Sequence, residues 1–196
     1  MRKLETERLI IRPFSTGDLD EVYDLVYADP EVKNKWSGLT GTPIQIKVTF
    51  FERHVRRMDD LGFKAVVRRD VQRLIGLIGF QQYRADEDLS WLAFEHGPPD
   101  RWLDPDLVEV ELAYALGRRY WGCGYATEAG RAMIAHGFKE MGIARIVNSV
   151  MGSNQRSIKL MRRLGLRLQK NLNPAYDPPG VVGILEDREW PKASYA

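Results

Sequence analysis

A strand, a glycine-bearing turn and a helix follow one another in Leu107-Val108-Glu109-Val110-Glu111-Leu112-Ala113-Tyr114-Ala115-Leu116-Gly117-Arg118-Arg119-Tyr120-Trp121-Gly122-Cys123-Gly124-Tyr125-Ala126-Thr127-Glu128-Ala129. Alternation of apolar and polar side chains predicts a strand over 107–116, and the pattern from Ala126 to Met141 predicts a helix that stops near Gly142. Between them, Gly122 and Gly124 let backbone come close to a ligand, while the N–H groups at the helix start favour an anion. A pyrophosphate is the natural occupant. A dinucleotide-binding reading would need a third glycine where Thr127 stands, and a phosphate loop would need G-x-x-x-x-G-K-[ST]; neither is present. Taken alone, the R-x-x-G-x-G segment also fits a tight turn feeding a helix.

Upstream, Arg8 to Pro13 reads as a strand, and Ser15 or Thr16 caps a helix carrying Leu19, Val22, Tyr23 and Val26. Thr42-Pro43 starts a second helix, with Val48, Phe51, Val55 and Met58 at helical spacing until Gly62. Phe63–Arg68 and Leu74–Tyr83 form an antiparallel hairpin in which Gly76 and Gly79 mark weak points or a bulge. Residues 84–106 form an acidic, aromatic insertion with Trp91, Phe94, Trp102 and three prolines, read either as a functional loop or as packing under a loop. Downstream come a strand over Ile143–Met151, a helix over Asn154–Leu164, a strand from Leu166 and a last strand over Val181–Leu185. No repeat or linker interrupts the order, so residues 1–196 are expected to form one α/β domain.

Composition agrees with that class: 196 residues, 44% hydrophobic and 29% charged, enough for one sizeable core. The single cysteine, Cys123, excludes an internal disulfide and a cysteine-based zinc site, and His54, His96 and His136 lack metal-ligand spacing, so no metal is expected. The charged amino-terminal stretch and the lack of an apolar run near ~18 residues predict a cytoplasmic protein with no membrane partner. A net charge of +2 is too small to argue for a nucleic-acid partner, but the charges are unevenly spread. From Asp86 to Glu111 nine acids stand against Arg101 alone; from Gly117 to Lys170 eleven basic residues stand against Glu128 and Glu140. The two segments suit either solvated faces or a site joining an anionic cofactor to a cationic substrate.

Taken together, the strand E-V-E-L-A-Y-A-L, the segment R-Y-W-G-C-G-Y-A-T-E-A, the strand I-V-N-S-V-M and the helix N-Q-R-S-I-K-L-M-R-R-L-G-L resemble the GNAT superfamily of N-acetyltransferases, nearest its ribosomal-protein alanine N-acetyltransferase branch. Arg119, Gly122 and Gly124 match the family's Q/R-x-x-G-x-G/A signature, and Asn154 with Ser157 matches its N-x-x-S/A motif. The resemblance implies a mostly antiparallel sheet splayed between the fourth and fifth strands, flanked by helices, with acetyl-CoA as cosubstrate. It implies that the backbone from Arg119 through Tyr120, Trp121, Gly122, Cys123 and Gly124 to Tyr125 cradles the pyrophosphate. Arg118 and Arg119 would add positive field, and Ala126 and Thr127 lie at the helix start. Amides near Leu112, Ala113, Tyr114 and Ala115 would pair with the pantetheine arm and polarise the thioester carbonyl, and Asn154 would hydrogen-bond that arm. The Lys159, Arg162 and Arg163 cluster fits either adenosine phosphates or a solvated helix face.

Many relatives carry a tyrosine seven residues after the helix-opening asparagine as the acid for the leaving thiolate; here that position is Met161, which has no proton to give. The resemblance then turns to Ser157 for this role, with Tyr125 and Tyr120 in reserve. The attacking amine must be neutral, so a base is needed beside the thioester strand. Glu109 and Glu111 share one strand face, and Glu111 matches the branch's acidic position, either as base or as ligand of the substrate ammonium. The expected activity is acetyl transfer to a primary amine by direct attack in a ternary complex, on a cationic acceptor such as a protein N-terminus, an aminoglycoside or a polyamine. The competing readings are a non-catalytic acyl-CoA-binding or sensing domain and an RNA-associated protein docking through its basic half. Unpaired end strands and the aromatic insertion would suit a homodimer.

Overall fold

The computed structural model describes residues 3–35, 38–56, 60–82, 110–170 and 180–191. The insertion at 84–106, Met58, His96 and Glu109 lie outside them. The chain falls into two compact units, Met1–Gln81 with Leu112–Gly142 and Gln82–Glu111 with Ile143–Ala196.

In the first unit the strands follow the order β1 (Leu4–Glu5), β2 (Leu9–Arg12), β3 (Gly62–Arg68), β4 (Arg73–Gln82) and β5 (Val110–Leu116), the last running in from the second unit. The expected hairpin is β3–β4, antiparallel from Gly62 opposite Phe80 to Arg68 opposite Arg73. Val66 faces Gly76 while Val67 faces Leu74, so Ile75 is an extra residue and the anticipated bulge sits beside Gly76. The glycines there answer to close backbone approach: a Cβ at Gly76 would lie 2.2 Å from the Ala115 carbonyl oxygen, and one at Gly79 2.2 Å from that of Gly62.

Both predicted amino-terminal helices form, and both contain π-helical turns that a 3.6-residue spacing does not foresee. Ser15 and Asp18 make a capping box ahead of α1 (Leu19–Val22), which continues as a π turn over Tyr23–Tyr27. Asp29 and Pro30 open a short helix that the sequence reading lacked, α2 (Pro30–Lys33), with the Asp29 carboxylate accepting from the Glu31 N–H at 2.9 Å. Thr42, Pro43 and Gln45 start α3 (Pro43–Phe50), followed by a π turn over Phe51–Val55. The fourth helix, α4 (Tyr125–Lys139), buries Ala129, Gly130, Met133, Ile134, Gly137 and Phe138, two residues from each successive turn. Leu9, Ile11, Val26, Phe50 and Leu77 are fully buried, each such side chain stabilising the fold by about 1.5–3 kcal/mol. His54 belongs to this core: its ring packs on Phe50 and Phe63, and its Nδ1 accepts the Phe63 N–H at 3.2 Å.

In the second unit β6 (Arg145–Val150) and β7 (Arg167–Lys170) both run antiparallel to β8 (Val181–Glu186). The first residue of β5, Val110, pairs with Ile146 in parallel, and among the described residues β5 and β6 pair nowhere else. Counting the two-residue β1, the described strands number eight, in the order β1-β2-β3-β4-β5-β6-β8-β7. The helix of this unit, α5 (Gln155–Arg163), buries Ile158 and Met161 together with Leu164, with Ile146, Val147, Val182 and Ile184 also buried in the unit. The α/β class read from the sequence holds. No helix among the described residues is long and apolar enough to cross a membrane.

Candidate active site

The turn between β5 and α4 is held at its root and open at its tip. Gly117 N–H donates to the Ile75 carbonyl at 2.9 Å, and a Cβ at Gly117 would meet Leu25 Cδ2 at 2.5 Å, so β5 ends pressed against the α1 segment. Arg118–Tyr120 make one 3-10 turn, after which the Trp121 indole N–H donates to the Leu116 carbonyl at 2.7 Å. Tyr120 and Trp121 are half-buried against the core, which makes them anchors of the turn and not exposed stacking platforms. The Arg119 guanidinium lies 4.9 Å over the Tyr120 ring.

Beyond Trp121 the chain is exposed through Gly122, Cys123 and Gly124. Gly122 and Gly124 have φ of +77° and +83°, a left-handed backbone that side chains disfavour, and nothing lies within 4 Å of where a Gly122 Cβ would stand. Gly124 is the N-cap of α4 and brings no side chain to cap it. Thr127 and Glu128 N–H both donate to the Gly124 carbonyl at 3.1 Å, so the helix supplies no acceptor to the N–H groups of Tyr125 and Ala126. Open glycine backbone, unspent helix-start amides and the adjacent Arg118 and Arg119 fit a doubly charged phosphate group.

Glu128, in the first turn of α4, would add negative charge here, but it is compensated. Its Oε1 accepts from the Thr6 hydroxyl at 2.6 Å and the Arg8 backbone N–H at 2.8 Å, and its Oε2 from Arg8 Nε at 2.7 Å. Burial pushes the Glu128 carboxyl up, yet these bonds outweigh it and leave the group below the usual carboxylate range. The same Arg8 donates through Nη1 to the Cys123 carbonyl at 3.1 Å and lies 4.7 Å over the Tyr125 ring. Sequence reading missed Arg8, since no local pattern links the residue just ahead of β2 to a turn 115 positions later.

The same unit contains a cavity of about 740 Å³ lined by Glu21, Asp24 and Asp29 as well as Arg73, Arg118 and Arg119. Its charges are mixed, with Arg73 and Glu21 3.6 Å apart. On β5, Leu112, Ala113 and Ala115 are buried, and Tyr114 and Glu111 are half-buried.

In the second unit, Asn154 is the N-cap of α5 and its side-chain oxygen accepts the Ser157 N–H at 3.3 Å. Ser157 is half-buried, whereas Arg156, Lys159, Arg162 and Arg163 are exposed along the helix. Met161, where a tyrosine would supply a proton, is buried in the unit's core, with Sδ 3.0 Å from the place of a Gly183 Cβ. Among the described residues no His, Cys, Asp and Glu side chains gather as a metal-binding group.

The acetyltransferase (GNAT) domain model matches residues 8–167. The uncharacterized N-acetyltransferase p20 of Bacillus licheniformis is 28% identical over 173 residues, covering 85% of this chain and 83% of its own. The fold is similar to that of a GNAT-family acetyltransferase from Bacillus anthracis, with a TM-score of 0.71 at 21% identity over 95% of this chain and 99% of that one. It is also similar to the ribosomal-protein-S5-alanine acetyltransferase of Vibrio fischeri, with a TM-score of 0.67 at 16% identity over 97% and 100% of the two chains. With the family match running from Arg8, just ahead of β2, to Arg167, the first residue of β7, this chain belongs to the GNAT family and is an acetyl-CoA-dependent acetyltransferase.

Proposed function

We propose that the protein acetylates a primary amine of a cationic acceptor by direct attack in a ternary complex, using residues 1–196 as one acetyltransferase domain. The observation that carries this reading is the uncapped start of α4, where two left-handed glycines leave backbone N–H groups unspent beside Arg118 and Arg119. That the family match spans both compact units supports treating them as one domain.

Acetyl-CoA, when bound, supplies an acetyl group activated as a thioester. The backbone from Arg119 to Tyr125 holds its pyrophosphate, with Ala126 and Thr127 at the helix start, and Asn154 offers its amide to the pantetheine arm. Amides of Leu112 to Ala115 orient the arm and polarise the carbonyl oxygen, the larger part of the acceleration coming from such positioning. The Glu111 carboxylate accepts the proton that the amine loses as its nitrogen bonds to the acyl carbon. The Ser157 hydroxyl donates a hydrogen bond to the departing sulfur, which leaves as the thiolate when the C–S bond breaks and takes a proton from solvent, to which Glu111 returns the one it accepted. The acids between Asp86 and Glu111 support a cationic acceptor, since they attract cations and repel acidic substrates. Among cationic amines a basic protein N-terminus is favoured by the fold likeness to a ribosomal-protein acetyltransferase.

Turnover of acetyl-CoA with a panel of basic peptides, aminoglycosides and polyamines, followed as thiol release with mass measurement of the product, tests this reading. A mass gain of one acetyl group on a cationic amine is the expected result. A best acceptor that is neutral or acidic would contradict the assignment.

A further inference from the structure

We propose that Arg8, the residue preceding β2, is the positioning residue of the acetyl-CoA loop, holding the Gly122–Gly124 backbone in its anion-binding shape. This inference rests on the function proposed above. The glycines that open the loop to a ligand also give it more conformational freedom to lose than any other residues would. The anchors at its root, the Trp121 indole on Leu116 and the Gly117 N–H on Ile75, act before Gly122. Past that point the carbonyl of Cys123 is held by Arg8 Nη1 at 3.1 Å.

Arg8 suits this role because it is itself fixed at both ends. Its backbone N–H donates to Glu128, its carbonyl accepts the Arg69 N–H at 2.9 Å, and its Nε donates to Glu128 Oε2. The guanidinium spends Nε on the helix and Nη1 on the loop, so one planar group sets the spacing between Cys123 and the first turn of α4. It also stacks over Tyr125, whose N–H stands at the open helix start, and its Nη2 comes within 3.3 Å of where a Gly124 Cβ would be. The pairing has an electrostatic consequence as well. A lone Glu128 carboxylate in the first turn would compete with a phosphate for the positive helix end, and Arg8 and Thr6 satisfy it instead.

The test measures acetyl-CoA affinity by calorimetry, and kcat and KM with both acetyl-CoA and acetylpantetheine, a donor without the pyrophosphate. Arg8→Ala should weaken acetyl-CoA binding about tenfold or more, raise its KM in step, and leave kcat and the acetylpantetheine reaction within about twofold. Arg8→Lys restores the charge beside Glu128, yet one ammonium cannot replace the fork, so affinity should return only in part. If Arg8→Ala does not fold, the lysine variant carries the test through the same split between the two donors. Acetyl-CoA affinity within twofold of wild type in the folded variants, or an equal loss with both donors, would overturn the positioning role while leaving the proposed function standing. Wild-type protein that binds no acetyl-CoA would overturn both.

Discussion

The starts of α4 and α5 are both positive helix ends in an acetyltransferase, and they are built in opposite ways. At α5 the amides are used: Asn154 N–H donates to the Met151 carbonyl at 2.8 Å, Gln155 N–H to Ser153 at 3.0 Å, and Ser157 N–H to the Asn154 side chain at 3.3 Å. At α4 the N-cap is Gly124, and the helix leaves the Tyr125 and Ala126 N–H groups without an acceptor of their own. Two helix starts with the same dipole therefore differ in the amides they offer an anion. What distinguishes α4 is amides left unspent, with glycine where a capping side chain would stand.

The contrast breaks most visibly at Gly124. Gly124→Glu puts a carboxylate on a left-handed backbone within reach of the unspent amides, and should weaken acetyl-CoA binding about a hundredfold or more with the far-ultraviolet circular dichroism unchanged. Next come the residues assigned to chemistry. Glu111→Gln should lower kcat about a hundredfold and alter the pH profile with little change in acetyl-CoA affinity, and Ser157→Ala should lower kcat about tenfold. A wild-type rate for Glu111→Gln on the true acceptor would return that carboxylate to a structural role. The smallest effect belongs to the capped helix. Asn154→Ala removes the α5 cap and should cost about 1 kcal/mol of stability by denaturant unfolding, while Asn154→Asp keeps an acceptor oxygen and most of that stability.

Features written in a few adjacent residues were legible in the sequence. Thr42-Pro43 fixed a helix start, the apolar, β-rich runs on either side of Arg69–Gln72 fixed a hairpin, and Gly76 marked its bulge. Asp29-Pro30-Glu31 carried an equally local signal for α2 that went unused. The π turns were hidden because one added residue per turn shifts the apolar positions off helical spacing. In the site, the glycine turn was legible because its backbone demands glycine. The Arg8–Glu128 link was not, because it joins elements 120 positions apart. Trp121 was legible as part of the turn, but nothing local tied its indole to the Leu116 carbonyl.

The proposed function turns on the unspent amides at the start of α4 receiving the pyrophosphate of acetyl-CoA. Backbone amide chemical shifts followed during an acetyl-CoA titration test it most directly. Saturable shifts are expected at Gly122, Cys123, Gly124, Tyr125 and Ala126, and they persist when CoA, which keeps the pyrophosphate and lacks the acetyl group, replaces acetyl-CoA. Saturable binding that leaves those five amides unmoved would contradict it.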